Sequence, residues 1–258
     1  MIEAPTTLLH GPLTQVFGPF CFPSIVTKGG QIMLLFLFSC VMPMLDTSDD
    51  MLVEGDEHAI QVASKLDKSV SSSVKLVIKE NSTDAGHASG NYFKHGRHKF
   101  IITAAHVVDG GEVWIKDGLE IVKAETVWVS EARDIAIIRP MGELFYTKPI
   151  KLKINTENNK VGTIIRYAGY PSHLGKMVLQ GMVSKQSSHN LILQSFALPG
   201  SSGSVIFDNK GRAVGVLSAV AVEMNPFVGI PEIEENIVYA GRLDFISRKF
   251  LKEVLNSE

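Results

Sequence analysis

Residues 198–207 read LPGSSGSVIF, with Gly200 and Gly203 set among Ser201, Ser202 and Ser204 ahead of the apolar Val205-Ile206-Phe207. Two readings fit this stretch. It is a flexible turn leading into a strand, or a turn holding a nucleophile, where glycines let a substrate carbonyl come close. Local composition does not choose between them, nor between the three serines.

Outward from the turn, the pattern is that of β-structure. Ser73-Val74-Lys75-Leu76-Val77-Ile78 alternates as a half-buried strand should. Further strand candidates are 92–93, 100–103, 113–115, 121–129, 135–138, 162–168, 177–183, 191–194, 205–207, 213–217 and 237–239, with Asp208-Asn209-Lys210-Gly211 a turn between two of them. Short strands separated by Gly, Asn and Asp turns point to antiparallel barrels rather than βαβ units. The expected fold is all-β: two six-stranded antiparallel β-barrels and a C-terminal α-helix over Leu243–Leu255. In that helix Leu243, Ile246, Phe250, Leu251, Val254 and Leu255 form an apolar stripe.

Composition sets bounds on function. The chain has 258 residues, 45% of them hydrophobic, and a formal net charge of −2. That is enough chain for a full core, while the near-neutral balance gives no electrostatic case for nucleic acid. Its two cysteines, Cys21 and Cys40, precede the expected domain, so no disulfide framework holds the core. The eight histidines are dispersed without HExxH or CxxC, so neither metal nor cofactor is expected.

Residues 1–50 differ from the rest, as an apolar leader followed by an acidic linker. The run from Ile32 to Leu45 is shorter than the about 20 residues of a membrane-spanning helix and suits a signal h-region. It suggests export or membrane association through residues 32–45, with an intracellular leader the alternative. Leu37-Phe38-Ser39-Cys40 resembles a lipoprotein box, with Phe38 a poor fit. A short helix is expected at 58–66, and Asn81-Ser82-Thr83 is a glycosylation sequon.

Three segments carry chemistry. Thr103-Ala104-Ala105-His106-Val107-Val108 puts a histidine directly after an apolar strand, and Asp134-Ile135-Ala136-Ile137-Ile138 puts an aspartate at the start of another. The third is the serine turn. Hydroxyl attack on a peptide carbonyl needs a base, a group that fixes its tautomer, and donors for the oxyanion.

TAAHVV, DIAII and PGSSGS, in this order, resemble the signature segments of trypsin-like serine proteases of the chymotrypsin fold, in style the HtrA/Deg type. Gly169-Tyr170-Pro171 ahead of Leu174-Gly175, Gln180-Gly181-Met182-Val183-Ser184 and Gly211-Arg212-Ala213-Val214-Gly215-Val216 extend the likeness over residues 70–250. The resemblance implies a serine endopeptidase domain over 51–258, acting on proteins or peptides. His106 would be the general base, Asp134 its orienting carboxylate and Ser202 the nucleophile, with the N–H groups of Gly200 and Ser202 as the oxyanion hole. Phe196 and Ala197 would lie near the base of the specificity pocket, and Ser218, Ala219 and Val220 would pair with substrate. That pocket suits small or medium aliphatic residues. Ser201 replaces an Asp or Asn common in the family, which argues against activation by an N-terminal cleavage. The PDZ domain usual in HtrA proteins is not expected. A catalytically silent binding module of the same fold is the alternative. His95 and His98 read as solvated turn residues, His173 as a loop residue, and Glu232, Glu234 and Glu235 as a solvated loop.

Overall fold

The computed structural model describes residues 24–28, 31–35, 42–43, 70–79, 84–157, 161–172, 174–224 and 231–256. The acidic linker, the helix expected at 58–66, the sequon and His173 lie outside them. Within the leader, β1 (Ser24–Lys28) pairs antiparallel with β2 (Gln31–Leu35), and β3 (Met42–Pro43) pairs with the fifth strand. Part of the apolar run is therefore in strands. Among the described residues no helix is long and apolar enough to cross a membrane.

The first barrel is built from β4 (Ser73–Lys79), β5 (Asp84–His95), β6 (His98–Thr103), β7 (Glu112–Asp117), β8 (Glu120–Ser130) and β9 (Ile135–Pro140). They run in the order β5-β4-β7-β8-β9-β6 and close through β5–β6, with the short β10 (Ile150–Lys151) added parallel to β5. The second barrel comprises β11 (Ile164–Gly169), β12 (Met177–Gln186), β13 (Asn190–Gln194), β14 (Val205–Asp208), β15 (Ala213–Met224) and β16 (Pro231–Arg242). It closes in the order β11-β12-β13-β16-β15-β14. Two closed six-stranded antiparallel barrels are thus what the strand pattern predicted.

Each barrel has its own core, because inward positions recur with the period of two that a strand imposes. Leu76, Ile101, Ile115 and Ile137 fill the first barrel, and Ile165, Tyr167, Val183, Leu193 and Val238 the second. Each such side chain contributes about 1.5–3 kcal/mol on burial. On one side the barrels meet through Phe93 and Phe207, whose rings lie 6.3 Å apart. On the other side the seam is polar. Ser73 Oγ donates to Ala168 O at 2.9 Å, Val205 N–H donates to Asn91 Oδ1 at 2.9 Å, and Asn91 Nδ2 donates to Ser72 Oγ at 3.2 Å.

Three local expectations change. A helix of five residues, α1 (Ala105–Asp109), follows β6, so His106 sits on a helical turn. The C-terminal helix α2 runs over Arg248–Asn256, starting five residues later than the apolar stripe suggests. Ser247 Oγ accepts the Phe250 N–H at 3.0 Å, an N-cap that sets the start. Leu243 and Ile246 are buried all the same, and Trp128 meets Phe250 edge-on at 5.0 Å. Finally, Glu232, Glu234 and Glu235 belong to β16, not to a loop: Glu232 pairs with Glu223 and Glu234 with Ala221, in a hairpin longer than the pattern showed. The pair His95 and His98 closes the β5–β6 hairpin, both half-buried.

Candidate active site

His106 and Asp134 are joined by two hydrogen bonds. The His106 backbone N–H donates to Asp134 Oδ1 at 2.9 Å, and the ring Nδ1 lies 2.8 Å from Oδ2. One carboxylate thus fixes both the backbone and the ring of the histidine. With Nδ1 donating, Nε2 is left as the acceptor. Asp134 itself lies in the left-handed region, φ 51°, just after a 3₁₀ turn over Glu131–Arg133. Aspartate tolerates that conformation better than most residues. Gly241 of the second barrel lets this segment approach, since a Cβ there would lie 2.0 Å from Arg133 O.

A third donor reaches Asp134 from the second barrel: Ser218 Oγ hydrogen-bonds Oδ2. Sequence reasoning placed Ser218 on the substrate strand without this bond. The register of β15 on β16 slips between Leu217 and Ala219, and such a bulge re-aims a side chain. Burial alone would raise the Asp134 carboxyl. The hydrogen bonds and charge of His106, with the Ser218 hydroxyl, outweigh it and hold the carboxyl below its ordinary value.

The serine turn resolves which serine is which. Ser201 and Ser204 are fully buried, whereas Ser202 is partly exposed. Among the described residues neither buried hydroxyl has a hydrogen-bond partner. Gly200 and Gly203 take positive φ, 92° and 86°. The N–H groups of Ser201, Gly203 and Ser204 donate to Leu198 O, Leu217 O and Ser201 O, at 3.0, 2.8 and 3.1 Å. Those of Gly200 and Ser202 donate to no described residue, which leaves two backbone donors free beside the exposed serine.

The turn reaches the histidine through backbone. A Cβ on Gly203 would lie 2.2 Å from both Ser89 O and Thr103 Oγ1 and 3.1 Å from Ala104 N, so the residue after Ser202 packs on the strand end that carries His106. Among the described residues no hydrogen bond joins Ser202 Oγ to His106; in unliganded sites such contacts often tighten only with substrate.

A family model described as trypsin-like peptidase domain matches residues 88–216, a span holding His106, Asp134 and Ser202. The chain belongs to the trypsin-like peptidase family. A "Probable periplasmic serine endoprotease DegP-like" from Halomonas elongata is 27% identical over 152 residues, 55% of this chain and 31% of that protein. A protein of the same name from Pseudomonas savastanoi pv. phaseolicola is 27% identical over 142 residues, 51% of this chain and 29% of that one. This trypsin-like peptidase spans under a third of the length of these curated relatives.

The remaining expected site residues of the peptidase are also placed. Phe196 is 40% exposed and Ala197 is buried, with the Phe196 carbonyl accepting a bond from the Tyr167 hydroxyl. Ala219 and Val220 are half-buried and pair with Tyr239 and Val238. Since β14 pairs β15 only from Ala213 to Val216, the other edge of Ser218–Val220 has no partner strand among the described residues. Among the described residues no group of three or more His, Cys, Asp or Glu converges to hold a metal ion.

Sequence reasoning missed Ser73, Ser89 and Asn91. No pattern in the sequence marks them: β5 reads DAGHASGNYFKH, with polar residues throughout, and Ser73 opens β4 out of phase with Val74, Leu76 and Ile78.

Proposed function

We propose that this chain is an active serine endopeptidase working through His106, Asp134 and Ser202. The observation that carries the reading is the pair of unused N–H groups, of Gly200 and Ser202, around the one exposed serine of the turn. Ser202 Oγ attacks the scissile carbonyl carbon while His106 Nε2 takes its proton. The carbonyl oxygen becomes an oxyanion received by the two N–H groups. Asp134 holds the Nδ1 proton and offsets the charge of the imidazolium. Collapse of the tetrahedral species breaks the C–N bond, and the histidine gives its proton to the departing amine. Water, deprotonated by His106, then cleaves the acyl-enzyme.

Substrate lies along the open edge of Ser218-Ala219-Val220 as an added strand. Phe196, Ala197 and Val220 give the pocket an apolar lining without a carboxylate, suited to small or medium aliphatic side chains. The relatives' names describe periplasmic enzymes, and with the apolar run at 32–45 this supports export or membrane association.

A fluorophosphonate probe with peptide mapping tests the reading. Labelling of the folded protein at Ser202, together with hydrolysis of casein, is expected. An unlabelled, folded sample would instead make the chain a binding module.

A further inference from the structure

Ser89, on β5 of the first barrel, is fully buried and has every polar group engaged. Its N–H donates to Ser202 O at 2.8 Å, and its hydroxyl donates to Gly200 O at 2.7 Å. The same hydroxyl accepts the Tyr170 N–H at 2.8 Å, and Ser89 O accepts Thr103 Oγ1 at 2.8 Å. Its two targets are the carbonyls of the residues whose own N–H groups are left free. From these contacts we infer that Ser89 is a positioning residue for the oxyanion hole, holding the serine turn in its donor-out form from the opposite barrel. This rests on the triad reading above.

The geometry argues for it in steps. A trans peptide points its C=O and N–H in opposite directions. The Gly200 N–H shares a peptide with Pro199 O, which accepts the Ser172 N–H at 2.7 Å, and that bond aims the donor away from Ser172. The Ser202 N–H is aimed likewise by the bond from Ser204 N–H to Ser201 O. Between them stands Gly200, at φ 92° and without a Cβ; the Ser201 N–H, donating to Leu198 O at 3.0 Å, holds one end of the peptide on its carbonyl side, and the carbonyl end is steadied where something grips it. The Ser89 hydroxyl does so. Its other lone pair is tied to Tyr170, two residues before Ser172, so one short chain of bonds links both clamps on the 199–201 segment. Ser172 is itself a non-glycine residue at φ 47°, a conformation that costs energy and persists where the surroundings enforce it.

Ser89→Ala deletes only the side-chain bonds and keeps both backbone ones. Removing an oxyanion donor outright costs about 10²–10³ in kcat, so loosening one is expected to cost about 10- to 100-fold. KM for a fluorogenic peptide taken from a casein cleavage site should stay unchanged. The affinity of the matching peptide boronate should fall with kcat/KM, as for an interaction made in the transition state. Ser73→Ala is the control. It removes a buried bond of the same kind across the same seam, Ser73 Oγ to Ala168 O, and should leave kcat within about twofold. Ser89→Cys, similar in size with a weaker donor, should recover part of kcat and keeps the test open if the alanine variant folds poorly.

Wild-type kcat in folded Ser89→Ala overturns the inference, as does an equal loss in Ser73→Ala or, where the alanine variant does not fold, wild-type kcat in Ser89→Cys. If wild-type protein is labelled at Ser202 in these trials, such an outcome removes the inference alone. If wild type is itself unlabelled, the triad reading falls and takes the inference with it.

Discussion

The two sides of the cleft are held in different ways. On the histidine side, side chains do the holding: Asp134 binds His106 twice and receives Ser218, over at most 2.9 Å for the histidine bonds. On the serine side nearly everything is backbone. Gly200, Ser201, Ser202 and Gly203 are fixed by their peptide groups, and the clamps come from Ser89 and residues 170–172. Side-chain pairs announce themselves as residue types in a sequence. Backbone donors do not, since every residue but proline has one.

That contrast can be broken by experiment, most severely at its centre. Ser202→Ala should lower turnover by about 10⁴–10⁶, whereas Ser201→Ala and Ser204→Ala, which remove buried hydroxyls, should keep both activity and probe labelling. Loss of labelling on Ser201→Ala with retention on Ser202→Ala would reverse the assignment. On the histidine side, Asp134→Asn should cost about 10⁴ in kcat by releasing the wrong tautomer. Its fold should survive, because asparagine also accepts the left-handed conformation.

The same aspartate links activity to acid stability. Its carboxyl is held below the ordinary value, so its contribution to stability is complete above about pH 4. It is lost as pH falls through the lowered folded value. The stability gap between wild type and Asp134→Asn, read by urea unfolding, should therefore close as pH falls from about 4 through the lowered folded value. A gap that widens in acid would contradict the hydrogen-bonded carboxylate.

Gly203→Ala sharpens the serine side. Its Cβ would meet Ser89 O and Thr103 Oγ1 at 2.2 Å in a left-handed conformation, so a loss of about 3 kcal/mol or more is expected in thermal unfolding. Ser218→Ala should be milder, about tenfold in kcat with KM held, since it takes one of three donors from Asp134.

The smallest effect concerns Lys176, which stacks over Tyr170 at 5.5 Å beside the clamp. Burial pushes its ammonium down to about 8, against a smaller pull upward from Asp117. The unfolded chain then binds more protons between about pH 8 and 10, and stability from this group rises with pH over that window. Lys176→Met should gain on wild type by less than about 1 kcal/mol at pH 7 and lose that advantage by pH 10.

The strands of both barrels were legible because burial on one face writes a period of two into β4 and β7 of the first and β13 of the second. His106, Asp134 and the serine turn were legible because their chemistry depends on residue type and order. The start of α2 was not, since the apolar stripe runs back through Leu243 while the Ser247 cap decides where helix begins. Nor was the long β15–β16 hairpin, whose acidic residues look like loop until they are seen to pair.

The sequence by itself determined which residue types the candidate site holds and the two-barrel frame that carries them. Only the tertiary structure decided which serine is exposed, which N–H groups stay free, that Ser218 serves Asp134, and that Ser89 grips the serine turn from the other barrel. The reason is physical: these are contacts between backbone and side chains far apart in the chain, with Ser89 and Gly200 separated by 111 residues. They come into being only when the two barrels close on their polar seam.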